Sequence, residues 1–123
     1  MASRRILIVA VLAAAASACS SSSSPSPAPS TPAGATAAVS LPSGARTLTT
    51  TAFAPNPLVV ATGTTVTWTN NDSISHDSVA DGGMWNSGIL SAGQSFSFKF
   101  PTAGSFTYKC TIHPNMVGTI TVQ

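Results

Sequence analysis

Charge is scarce in this sequence. Of 123 residues, five are Lys or Arg and three are acidic, and the acids are all aspartates: Asp72, Asp77 and Asp81. Arg4 and Arg5 lie in the N-terminal segment, so from residue 46 onward Arg46, Lys99 and Lys109 balance the three aspartates. A chain this poor in charge has no basic footprint for nucleic acid and no acidic patch for a strongly charged partner. It also lacks a long apolar run. The stretch Ile6–Ala16 has eleven residues, where a helix crossing a bilayer needs about 20. No segment shows helical periodicity and no internal repeat is present. No carboxylate pair suited to acid–base work is found either, which argues against an enzyme. Histidine and cysteine occur twice each, as His76, His113, Cys19 and Cys110.

The N-terminal third has its own grammar. A basic start, the short apolar run and the small residues Ser17-Ala18 predict a secretory signal over residues 1–18. Ala16-Ser17-Ala18-Cys19 resembles a bacterial lipobox, with Ala16 where leucine is usual. That resemblance implies a lipidated Cys19 and a protein exported to the periplasm or cell surface and anchored to the membrane. Residues 19–45 carry no charge and are almost all Ser, Pro, Ala, Thr and Gly, which predicts a disordered linker. Acylation of Cys19 would leave Cys110 a lone thiol in an oxidising compartment.

Residues 46–123 are expected to form one globular domain. Val66-Thr67-Trp68-Thr69 alternates apolar and polar, and Phe96, Phe98 and Phe100 share a face opposite Ser95, Ser97 and Lys99. Phe106, Tyr108 and Cys110 repeat the pattern, as do the residues from Gly118 to Val122. Turn clusters separate these runs, as at Asn70-Asn71-Asp72 and Asp81-Gly82-Gly83. About seven short strands spaced in this way predict an all-β fold, an antiparallel β-sandwich, with Trp68 and the three phenylalanines supplying most of the core.

Chemistry concentrates in Cys110-Thr111-Ile112-His113-Pro114-Asn115-Met116, where a thiol, an imidazole and a thioether fall within seven residues. His76 lies 34 residues upstream of Cys110. Two imidazoles and a thiolate, with a weak axial methionine, are the ligand set of a blue-copper site. His76, Cys110, His113 and Met116 are therefore the expected ligands of one copper ion. Met84 is the other thioether of the domain; it sits far from the loop in sequence and reads as packing or surface.

Three segments strengthen this reading: Val66 to Asp72, Ser87-Gly88-Ile89-Leu90, and Phe106 to Gly118. They resemble the plastocyanin/amicyanin branch of the cupredoxins over nearly all of residues 47 to 123, with the short Cys-x-x-His-x-x-Met loop closest to amicyanins. The resemblance implies a cupredoxin-like Greek-key antiparallel β-sandwich with copper at one end, bound by the same four residues. It also implies one-electron transfer to redox proteins that dock near His113, by a monomer; a copper carrier or buffer using the same ligands is the alternative. Two positions depart from the pattern. Asp77 stands where asparagine is common, and Ile112 where proline is frequent. Asp77 keeps a backbone N–H for the cysteine sulfur, and its carboxylate is suited to accept from Thr111.

Overall fold

The computed structural model describes residues 34–123. The expected signal segment and the linker as far as residue 33 lie outside the described residues. Within them the chain forms seven strands and a single 3-10 turn: β1 (Thr36–Leu41), the turn (Ala45–Thr47), β2 (Leu58–Val60), β3 (Thr65–Asn70), β4 (Val79–Ala80), β5 (Ser95–Lys99), β6 (Gly104–Lys109) and β7 (Val117–Val122). They make two sheets, ordered β1-β3-β5 and β2-β7-β6-β4.

The domain starts earlier than the expected boundary at residue 46. Thr36–Leu41 falls inside the stretch read as a linker, yet it pairs along its whole length with β3 and buries Val39 and Leu41. Two apolar residues two apart make a strand face, but the surrounding Ala, Ser, Thr and Pro gave the segment the composition of a tether. The sheets are also mixed where antiparallel pairing was expected. β1 runs parallel to β3 and β2 parallel to β7, while β3–β5, β4–β6 and β6–β7 are antiparallel. From β1 the chain passes to the other sheet for β2 and returns for β3, which supplies the crossover that parallel neighbours need. Alternation shows which residues face inward and is silent on the direction of the neighbouring strand.

In β3, Val66, Trp68 and Asn70 point into the core and the threonines between them point out. Phe100 is fully buried, but Phe96 and Phe98 are only half-buried because β5 is the edge of its sheet. Trp85 takes up much of the role given to those two phenylalanines. It packs against Trp68 at 5.3 Å between ring centroids, Phe100 at 5.3 Å, and Phe98 and Tyr108 at 5.6 Å each. Its indole N–H donates to the Ser78 hydroxyl (3.0 Å), which satisfies the one polar atom it buries.

The Tyr108 ring lies across its cross-strand neighbour Gly118. A Cβ at Gly118 would stand 2.4 Å from Cζ and 2.6 Å from the hydroxyl oxygen of Tyr108, both well inside contact distance. Glycine is required here for space. Gly118→Ala should therefore cost about 2 kcal/mol through displacement of the ring. Thermal unfolding of the metal-free domain checks this, and an unchanged midpoint would show that the ring has free room to move.

Candidate metal centre

One end of the sandwich is built from two segments. The first follows β3. Asn70 occupies an inward position where the alternation calls for an apolar residue, and its polar atoms are all employed. Its Nδ2 donates to the carbonyls of Ile74 (2.7 Å) and Leu90 (2.8 Å), and its Oδ1 accepts from the Asp72 N–H (2.9 Å). This fixes the loop that carries His76. The backbone of His76 is held in turn by Leu90, donating to its carbonyl (3.1 Å) and accepting from its N–H (2.7 Å). The second segment follows β6. Cys110 donates its N–H to the Met116 carbonyl (3.1 Å), and Met116 donates to the His113 carbonyl (2.9 Å), closing a tight loop that leads into β7.

These segments bring His76, Cys110 and His113 into one cluster, a grouping able to hold a metal ion. The Nδ1 atoms of His76 and His113 are 3.1 Å apart, and the Cys110 Sγ lies 3.9 Å from the first and 3.7 Å from the second. His76, Cys110 and Met116 are fully buried, while His113 is half-buried between the exposed Ile112 and Pro114. Met84, the other thioether of the domain, is 38% exposed.

Hydrogen bonding sets the state of these donors. The His76 Nε2 lies 2.9 Å from the Asp72 Oδ2. That hydrogen bond is the main cause that holds the Asp72 carboxyl down at about 2, against an ordinary 3.8, with burial opposing it. The carboxylate is thus acceptor-only, His76 donates from Nε2, and its Nδ1 presents a bare lone pair to the cluster. Burial pushes the Cys110 thiol above its ordinary value, partly offset by the Asp77 N–H that donates to its sulfur at 3.5 Å.

Two imidazole nitrogens and a sulfur that converge within 3.9 Å of one another are a donor set for a cation, once the thiol gives up its proton. The triangle also has the right size. The separations of 3.1, 3.7 and 3.9 Å are short enough that His76, His113 and Cys110 would hold one ion together at ordinary ligand bond lengths. An N₂S donor set is what a blue-copper centre requires.

Asp77 behaves as its position suggested. Its Oδ1 accepts from the Thr111 N–H (2.5 Å) and its Oδ2 from the Thr111 hydroxyl, tying the His76 segment to the cysteine loop. Asp72 is the functional residue that sequence reading missed, having been taken for a turn former. The available signal was an aspartate four residues before a candidate ligand histidine, since metal-bound histidines commonly donate their second N–H to a carboxylate.

Comparison with known proteins agrees with this architecture. Residues 41–123 match the family described as copper binding proteins, plastocyanin/azurin family. A plastocyanin from Scenedesmus fuscus is 38% identical over 84 residues, covering 58% of this chain and 86% of the relative. An amicyanin from Paracoccus denitrificans is 34% identical over 71 residues, 54% of each chain. Among solved structures, a purple cupredoxin from Nitrosopumilus maritimus aligns with a TM-score of 0.65 at 35% identity, over 71% of this chain and 99% of the other. The chain belongs to the plastocyanin/azurin family of copper-binding proteins.

Proposed function

We propose that this protein is a type 1 blue-copper electron-transfer protein working outside the cytoplasm, with His76, Cys110, His113 and Met116 as ligands to one copper ion. The observation that carries the reading is the convergence of His76 Nδ1, His113 Nδ1 and Cys110 Sγ within 3.9 Å of one another, with the buried Met116 closing the loop that carries two of them. Bound copper supplies one-electron Cu(II)/Cu(I) chemistry. The protein contributes a fixed set of donors. Asp72 holds the His76 ring in one tautomer and orientation, and Asp77 ties the two ligand segments together. Burial of the sulfur and of His76 keeps water away from them. A rigid, dry site suits electron transfer because little has to rearrange between oxidation states. His113 is the half-buried ligand, flanked by Ile112 at 45% exposure and by the exposed Pro114, so a redox protein would dock there through an apolar contact.

The test is the visible spectrum of the copper-loaded protein, followed by repeated reduction and reoxidation. One ion per chain, an intense thiolate-to-copper band and retention of the ion through many cycles are expected. An ion lost on each reduction would point to a copper carrier, and a colourless complex would sink the ligand assignment.

The N-terminal residues support an anchored location: the signal-like segment 1–18 and the lipobox-like Ala16 to Cys19. The mature protein should partition with membranes, and Cys19→Ser should release it or leave it unprocessed. A wild-type protein found wholly in the soluble fraction with an unmodified N-terminus would overturn the anchor.

A further inference from the structure

The 3-10 turn Ala45–Thr47 carries no candidate ligand, yet both ligand-bearing segments are fastened to it. On one side the Ala45 N–H donates to the Asp72 Oδ2 (3.1 Å), the same oxygen that receives the His76 Nε2–H. On the other side the Asn115 Nδ2 donates to the carbonyls of Arg46 (3.1 Å) and Leu48 (2.8 Å). Asn115 sits in the loop between His113 and Met116. Two N–H groups of one carboxamide therefore occupy the Arg46 carbonyl within the turn and the Leu48 carbonyl that follows it, and the turn's first N–H donates to the carboxylate that orients His76. Only backbone groups of residues 45, 46 and 48 are used, so the connection depends on the donor side chain of Asn115 and the acceptor side chain of Asp72.

We propose that Asn115 is a positioning residue for the metal site, bolting the Cys110–Met116 loop to the turn that also holds Asp72 and His76, so that the ligand segments move as one piece. The inference rests on the copper-ligand reading above. Asp77 joins the same two segments at the cysteine end of the loop, through Thr111. Asn115 joins them at the far end. With both ties in place the loop is held on either side of His113, the one ligand with solvent access. With Asn115 gone, the stretch from Ile112 to Met116 is held by the Asp77–Thr111 clasp, by its own two backbone hydrogen bonds and, just beyond it, by the long Val117 N–H bond to the Thr49 carbonyl (3.4 Å).

Copper(I) release to a strong chelator, exchange of the His76 Nε2–H seen by proton NMR of the Cu(I) form, and thermal unfolding of the metal-free domain form the test, on wild type, Asn115→Ala and Asn115→Gln. Asn115→Ala should release copper faster by about tenfold, the loss expected of two ordinary hydrogen bonds. It should also speed exchange of the His76 Nε2–H, although residue 115 lies in the other ligand segment. Asn115→Gln keeps both donors on a longer stem and should recover part of each effect. A lower melting point in Asn115→Ala with copper release and His76 exchange at wild-type values would reduce Asn115 to a surface hydrogen bond and overturn the proposal. Failure of the wild type to show a thiolate-to-copper band would strike the ligand reading instead, and is seen before any variant is made.

Discussion

Cys110→Ser should give a protein that folds but shows no intense visible band with Cu(II), and binds copper at least about 100-fold more weakly, beyond the range for losing a residue that merely supports a ligand. A serine hydroxyl does not ionise at neutral pH, so the N₂S triangle is left with two imidazoles and a thioether. The wild-type thiol adds a pH signature. Burial raises it above its ordinary value, so the metal-free protein keeps that proton through neutral pH and copper binding must expel it. The proton is bound in the free form and absent from the complex, so raising the pH favours the complex. Apparent affinity should climb by about tenfold per pH unit between about pH 7 and 8.5 on account of this group. Cys110→Ser should lose that share of the slope. Competition titrations against a chelator of known pH dependence measure both quantities. A variant that keeps its colour would end the assignment of Cys110.

Asp72→Ala should be the most damaging change that spares every ligand. It strips the partner from the His76 Nε2–H and the Ser73 N–H at once, and leaves the Ala45 N–H with the Pro42 carbonyl (3.0 Å) alone. Two unpaired donors and a lost charge-assisted hydrogen bond should cost about 3 kcal/mol, lowering the melting point of the metal-free domain by roughly 10–20 °C. His76 also becomes free to turn or change tautomer, so copper affinity should drop by roughly 10- to 100-fold. Acid titration separates the charge from the packing. The Asp72 carboxyl is depressed to about 2 in the folded protein from an ordinary 3.8, so its contribution is complete above about pH 4 and is lost as pH falls through about 2. The stability gap between wild type and Asp72→Asn should accordingly be level from neutral pH to about pH 4 and close below that. A gap already closing at pH 6 would mean that another group holds His76.

The proposed ligand loop was legible in the residues because its chemistry is local. Cys110, His113 and Met116 lie on one short turn, and such side chains are so few in the chain that His76 had no rival as the fourth donor. Strand positions were legible for a similar reason. A period of two is written into neighbouring residues, and it correctly turned Trp68, Phe100 and Tyr108 inward. What stayed hidden were features fixed by residues distant in sequence. The tether-like composition around Val39 and Leu41 concealed β1, which becomes a strand through its parallel pairing with β3. Phe96 and Phe98 have the same pattern as Phe100 and differ from it because β5 lies at a sheet edge. Asp72 reads as a turn residue until the fold sets the Ala45 N–H, 27 positions away, and His76 on the same oxygen. Asn115 reads as loop surface until the fold carries the carbonyl of Arg46, 69 positions away, within reach of its amide. Local alternation and short-range spacing depend on covalent neighbours and survive in any conformation. Hydrogen-bond partners across tens of residues exist once the two sheets have closed, and they set how firmly the ligands are held.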